Sequence, residues 1–185
     1  VIRNCPESLP VSPVRRLRAE LAIPPEQKIA IYQGSISPGR GIEPFLEAVQ
    51  SLPELAGIVL GEGPLLSTLR QQQLAGKWQR VYLLGVVPMD QVSEFIACAD
   101  IGVVLTQNIC RSYYFSLPNK LFEYIRSGVP VIASNLPEIA RIVREYQVGE
   151  LVNPQDPAEI ASGMRRLLDD PTYYARVQSN TRAAA

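Results

Sequence analysis

Short apolar runs of strand length alternate along this chain with stretches of helical length, and that alternation limits its fold more than any other feature. The runs fall at residues 29–33, 57–60, 80–84, 101–105, 130–133 and 150–152. Helices are predicted at 42–51, 65–73, 89–98, 119–126, 137–145, 157–169 and 172–179. Strands and helices in alternation make βαβ units and a parallel sheet. The runs are rich in Ile, Val and Leu without strict alternation, as strands buried on both faces are. The expected class is therefore α/β, a parallel sheet with helices on both faces. Residues 1–27 carry Pro6, Pro10, Pro13, Pro24 and Pro25 and read as a connector, with one short helix near 14–20. The domain proper is expected at 28–185.

Composition removes several classes of function. Lys plus Arg equals Asp plus Glu, 18 each, which argues against a dedicated nucleic-acid binder. There is no histidine, so the commonest general base and metal ligand are missing. No acidic cluster suits a metal, and no metal is expected. The cysteines are Cys5, Cys98 and Cys110, an odd set without close pairs, which speaks against a disulfide framework or a four-ligand zinc site. A reducing cytoplasm is the simplest home for them. Cys98, beside Phe95, Ile96 and Ala97, reads as a small core residue. No apolar run is long enough to span a membrane. The start, Val1-Ile-Arg-Asn-Cys-Pro, carries neither Met nor a signal pattern and reads as the continuation of a longer chain.

One stretch carries most of the chemistry. In Ser116-Leu-Pro-Asn-Lys-Leu-Phe-Glu-Tyr-Ile-Arg-Ser-Gly128, Pro118 suits a first helical turn, and Gly128 with Pro130 ends the helix. Free backbone N–H groups, a positive dipole end and Lys120 then meet at one corner, a place to hold phosphates. Glu123 lies four residues after Asn119 on the same helix face, about 6 Å further along. A carboxylate there can take two sugar hydroxyls. The plain alternative is a solvated Lys120–Glu123 pair worth about 0.2–0.5 kcal/mol. Loops 33–41, 61–64, 85–88 and 106–119 all follow strands, so they gather at the carboxyl rim of the sheet, where ligands bind.

The run Pro118-Asn-Lys-Leu-Phe-Glu-Tyr124 followed by Gly128-Val-Pro-Val-Ile-Ala-Ser134 resembles the donor-binding segment of glycosyltransferase family 4. More closely, the chain is similar to the carboxy-terminal domain of two-domain GT-B enzymes. The resemblance runs from about Lys28 to Asp170. It includes Tyr32-Gln-Gly-Ser-Ile-Ser-Pro-Gly-Arg-Gly41, Val59-Leu-Gly-Glu-Gly-Pro64, Leu84-Gly-Val-Val-Pro88 and Ala99-Asp-Ile-Gly-Val103. It implies a three-layer Rossmann-like parallel sheet, the C-terminal half of a GT-B fold, cut before the crossover helix that closes such enzymes. It also implies a nucleotide-diphosphate sugar as donor, metal-independent transfer and retention of anomeric configuration. A glycan or lipid-linked acceptor would come through an amino-terminal domain, and the full-length protein could rest on a membrane. The isolated segment should bind nucleotide weakly and transfer nothing.

The donor-binding residues implied by the resemblance are Gly34, Ser35, Arg40, Gly61, Val86, Val87, Asn119, Lys120, Leu121 and Glu123. Arg40 matches the basic residue that grips the diphosphate, and its planar fork suits phosphate oxygens; the alternative is a solvated loop arginine. Family members often carry a second basic residue where Ser35 stands, a charge that Lys120 can supply. Backbone groups of Val86 and Val87 would read the nucleobase edge, although a plain strand-to-helix turn accounts for Gly85-Val-Val-Pro88 equally well. Glu62 reads as a surface or helix-start residue. Many members have two glutamates seven residues apart. The second matches Glu123, whereas the first falls on Phe115. Phe115 and Ser35 keep open a nucleotide-binding module without turnover. A sugar-nucleotide epimerase of related architecture is a third reading. Ser134 or Asn135 is expected to cap the helix that begins near Pro137.

Overall fold

The computed structural model describes residues 15–185. Six strands form one parallel sheet: β1 (Lys28–Gln33), β2 (Leu55–Leu60), β3 (Val81–Gly85), β4 (Ile101–Val104), β5 (Val131–Ser134) and β6 (Gly149–Val152). Their order is β3-β2-β1-β4-β5-β6. The helices are α1 (Arg15–Glu20), α2 (Ile42–Gln50), α3 (Leu66–Leu74), α4 (Met89–Ala97), α5 (Arg111–Tyr114), α6 (Asn119–Arg126), α7 (Pro137–Tyr146), α8 (Pro157–Leu168) and α9 (Pro171–Ala184). The order reverses between β1 and β4, so a crevice opens outside the carboxyl ends of these two strands.

Neighbouring residues of each strand pack on opposite faces, as the pleat requires. Ala30 and Tyr32 join Phe45 and Leu46 of α2 and Ile160 and Met164 of α8 on one side. Ile29 and Ile31 join Leu121 and Tyr124 of α6 and Ile139 of α7 on the other. The three layers expected from the apolar runs are present.

Several boundaries differ from expectation, each for a local reason. β2 begins at Leu55 rather than 57, because Leu55 and Ala56 pair in register with Lys28 and Ile29. The last helix runs to Ala184 rather than 179. No Gly or Pro stops it, and Thr181 is buried with its hydroxyl donating to the Val177 carbonyl. Pro118 lies outside the first helical turn, at the cap position with extended backbone, and α6 begins at Asn119. Ser134 and Asn135 do not cap α7; Leu136 holds that position. The Ser134 hydroxyl is buried and donates to the Val104 and Thr106 carbonyls, binding β5 to the end of β4. The Asn135 side chain accepts from Arg144.

Residues 1–14 of the expected connector lie outside the described residues. Its remainder belongs to the domain: Leu17 and Ile23 are buried in the same core as Ile29. Arg18 donates to the Gln27 carbonyl at 2.8 Å and lies 3.6 Å from Asp100. Cys98 is half-buried against that core. No described helix is long and apolar enough to cross a membrane.

Candidate functional site

The reversal point of the sheet is held open by one side chain. Tyr124 of α6 sends its hydroxyl to the β4 side of β1, where it donates to the Ile31 carbonyl and accepts from the Gln33 N–H, both at 3.1 Å. Its ring fits because position 102 is glycine. A Cβ there would stand 2.4 Å from the Tyr124 Cγ. Burial keeps the phenol protonated, with its pKa raised well above the ordinary value. Tyr124 thereby fixes α6 against β1 and, with it, the neighbouring Glu123.

A cavity of about 270 Å³ lies beside this anchor. The end of β1 and its loop line it with Tyr32, Gln33, Gly34, Ser35 and Arg40. The start of α6 lines it with Pro118, Asn119, Lys120 and Glu123, and Met89 of α4 closes one side. The backbone N–H groups of Asn119 and Lys120 have no acceptor among the described residues. They stand at the positive end of an eight-residue helix.

Two cations face this corner, and each rests on an aromatic ring instead of a carboxylate. The Lys120 Nζ sits 3.7 Å above the centre of the Tyr32 ring, and the Arg40 guanidinium 4.2 Å above that of Tyr113. Neither takes part in an ion pair among the described residues. The Arg40 Nε is buried without a hydrogen-bond partner. Ring faces stabilise cations by about 0.5–2 kcal/mol each. They supply no acceptor, so the donors stay available for an anion. Burial, with Arg40 nearby, lowers the Lys120 pKa to about 7, while Glu123 acts in the opposite direction. Burial likewise raises the Tyr32 pKa, and the Tyr32 hydroxyl donates to the Ser35 carbonyl at 2.7 Å.

Glu123 is not paired with Lys120 as a surface couple. One of its oxygens, Oε2, accepts a hydrogen bond from the Gln33 side-chain amide. The loop after β1 is shaped by glycine: Gly41, at φ +70°, could take no side chain, because a Cβ would lie 2.4 Å from the Leu105 carbonyl oxygen. This close approach turns the chain so that Arg40 reaches the site.

The implied residues therefore divide. Gly34, Ser35, Arg40, Asn119, Lys120 and Glu123 come together around the cavity. Leu121 does not. Its side chain is wholly buried in the core and its N–H donates to the Pro118 carbonyl, so it seats the helix. Gly61 also lies outside the lining. A Cβ there would fall 1.9 Å from the Gly34 carbonyl oxygen, so it serves the packing of one loop on another. Val86 is exposed and Val87 half-buried on the neighbouring loop, and neither lines the cavity. Glu62 is exposed, as expected. Sequence reasoning missed Gln33, Tyr32, Met89 and the Tyr113 support of Arg40. For Gln33, a polar residue ending an apolar strand was the available signal. Phe115 is 53% exposed and packs edge-on against Tyr114.

Among the described residues no group of three or more His, Cys, Asp or Glu side chains is placed to hold a metal ion. A larger open groove, about 610 Å³, lies between α7, β6 and α9. Its acid is committed: Glu150 pairs with Arg166 at 2.9 Å and accepts from the Tyr173 hydroxyl.

Arg40→Ala is expected to weaken inorganic pyrophosphate and nucleoside diphosphates about tenfold to a hundredfold and to leave bare nucleoside binding nearly unchanged, since a charge-assisted hydrogen bond is worth about 1.5–3 kcal/mol. Isothermal titration of each ligand checks this. Equal losses for nucleoside and diphosphate would indicate a folding defect instead.

Residues 13–184 match the family described as glycosyl transferases group 1. The D-inositol 3-phosphate glycosyltransferase 2 of Catenulispora acidiphila is 30% identical over 181 residues, covering 90% of this chain and 41% of that protein. The sucrose-phosphate synthase of Thermosynechococcus elongatus superposes with a TM-score of 0.76 at 26% identity, over 92% of this chain and 43% of its own. Anabaena HepE, solved in complex with UDP, superposes with a TM-score of 0.72 at 20% identity, over 91% and 46%. The chain spans less than half the length of each of these proteins. Its parallel sheet is that of GT-B glycosyltransferases, and the chain belongs to the glycosyl transferases group 1 family.

Proposed function

We propose that this domain binds the nucleoside-diphosphate end of a nucleotide sugar and, within the longer protein, helps transfer that sugar to an acceptor with retention of configuration, as in family 4 enzymes. One observation carries the reading: Arg40 and Lys120, both without a carboxylate partner among the described residues, share a cavity with the open start of α6 and with Glu123 one turn further on. In this reading the diphosphate rests on the two cations and on the N–H groups of Asn119 and Lys120. Glu123 accepts from the pentose hydroxyls. At about 270 Å³ the cavity lies just below the usual ligand range of about 300–1,000 Å³. It suits a diphosphate with part of a pentose, leaving base and sugar to the surrounding loops. HepE, which shares the fold, was solved with UDP.

Transfer builds negative charge on the departing diphosphate. Prearranged donors such as Arg40, Lys120 and the α6 start would stabilise it, each by about 2.7–4 kcal/mol where the site excludes water. No metal is needed for this step in the proposal. In the proposal, the site for a glycan or lipid-linked acceptor and any base come from an amino-terminal domain. Cytoplasmic placement, peripheral to a membrane, fits donor supply.

Calorimetric titration against UDP, GDP and ADP tests the reading. At least one is expected to bind, and Glu123→Gln is expected to weaken it about tenfold, at the lower end of 1.5–3 kcal/mol for a charged acceptor. No binding by any of the three, or unchanged affinity in the variant, overturns it. Phe115 favours a second reading. It stands where the family resemblance implies a glutamate and offers no carboxylate, so in this reading the domain holds nucleotide without turnover. Binding without glycoside formation or donor hydrolysis in the full-length protein would select that alternative.

A further inference from the structure

Gln33 is the last residue of β1 and only 9% exposed. It meets two consecutive residues of α6 in different ways. Its backbone N–H donates to the Tyr124 hydroxyl, and its side-chain Nε2 donates to the Glu123 Oε2. Its remaining polar atom, Oε1, has no donor among the described residues, and Gln33 lines the cavity.

This arrangement has two effects. Glu123 lies three residues beyond Lys120, a spacing at which a lysine and a glutamate ordinarily pair. No Lys120–Glu123 pair exists among the described ion pairs. The amide of Gln33 holds the carboxylate toward β1, and Lys120 stays on Tyr32. The second effect concerns the face shown to the cavity. With Oε2 engaged, the freer carboxylate oxygen is Oε1, and the side-chain carbonyl of Gln33, a residue that lines the same cavity, is left as a second acceptor.

We propose that Gln33 is a positioning and specificity residue: it orients Glu123 away from Lys120 and adds its own Oε1, so that residues 33 and 123 together read the vicinal hydroxyls of a bound pentose. The inference rests on the reading that Glu123 faces the ribose. Binding of a diol of this kind requires two hydroxyl donors, so a deoxypentose loses one of its bonds.

The test uses the tightest binder among UDP, GDP and ADP together with its 2′-deoxy and 3′-deoxy counterparts, titrated into native, Gln33→Leu and Gln33→Glu chains. In the native chain the deoxy analogues are expected to bind about tenfold more weakly. In Gln33→Leu that ratio should fall toward one, with nucleotide affinity about tenfold lower and pyrophosphate affected no more than nucleotide. Gln33→Glu opposes two carboxylates, which then share a proton only when pH falls. Its affinity relative to native should be lowest near pH 8 and recover toward pH 5. Recovery of the deoxy discrimination together with affinity, in samples that are folded at both pH values, is something a merely structural role would not produce, and it keeps the proposal testable if Gln33→Leu misfolds. Native discrimination retained in Gln33→Leu, or no relative recovery in Gln33→Glu, overturns the role of Gln33 alone. Failure of UDP, GDP and ADP to bind the native chain overturns the site reading and this inference with it.

Discussion

Lys120→Met is expected to stabilise the fold while weakening diphosphate binding. Lys120 is buried with its Nζ on the Tyr32 ring, and burial lowers its pKa from 10.5 to about 7. A buried ammonium without a carboxylate pays desolvation that no ion pair returns. Replacement by an apolar chain of similar length removes that desolvation and should raise stability; even buried ion pairs, when replaced by packed apolar groups, gain up to about 1–4 kcal/mol. The pH dependence has a definite sign. Below pH 7 the lysine is charged in both folded and unfolded chains. Between 7 and 10.5 the unfolded chain binds a proton that the folded chain lacks, so native stability rises with pH across this window. In Lys120→Met this rise should vanish. Denaturant melts of both chains from pH 6 to 10 measure it. A variant less stable than native at pH 6, or one that keeps the slope, contradicts the assignment.

The same residue makes binding pH-dependent. An anion beside Lys120 favours its charged form, so pyrophosphate should draw in a proton above pH 7. Affinity then falls with rising pH, by at most about tenfold per unit for one linked proton. Lys120→Met should lose this dependence along with about ten- to a hundredfold in affinity, from the 1.5–3 kcal/mol of a charged hydrogen bond. Stability surrendered for a buried donor without a carboxylate partner among the described residues is the common trade at functional sites.

Gly102→Ala is expected to do the greatest damage to the fold. The new methyl group would meet the base of the Tyr124 ring at 2.4 Å, a point on the side chain that cannot swing away cheaply. Overpacking of this kind costs about 1–3 kcal/mol. Displacing the ring also strips the Gln33 N–H and Ile31 carbonyl of their shared partner. An unsatisfied buried group costs about 1–3 kcal/mol. A loss of at least 3 kcal/mol, or roughly 6–12 °C in Tm, follows. Tyr124→Phe keeps the ring and loses only the hydroxyl, so its penalty should be smaller. A Gly102→Ala chain that melts within about 1 °C of native would show that the ring does not occupy this seat.

These two residues illustrate how a site can be visible in sequence while its working state is not. The Pro-Asn-Lys corner and Glu123 were legible because helix punctuation and four-residue spacing are local properties. That Lys120 lies buried on Tyr32 was not, because Lys120 belongs to α6 and Tyr32 to β1, far apart in the chain. The same holds for Gln33 and Glu123, which are 90 residues apart in the chain. Gly61 and Leu121 show the converse. Both lie in motifs that resemble a ligand site, yet one serves loop packing and the other the core. A motif marks a region, and only the packing divides its members between scaffold and site.

From the chain alone came the α/β class, the six strands and the corner where an anion can sit, because apolar periodicity, glycine and proline act over a few residues. The tertiary structure decided which strands flank the crevice, which cations rest on rings rather than on carboxylates among the described residues, and that an amide from β1 holds the carboxylate of α6. Those are encounters between distant segments, and burial and electrostatics act through space regardless of position along the chain.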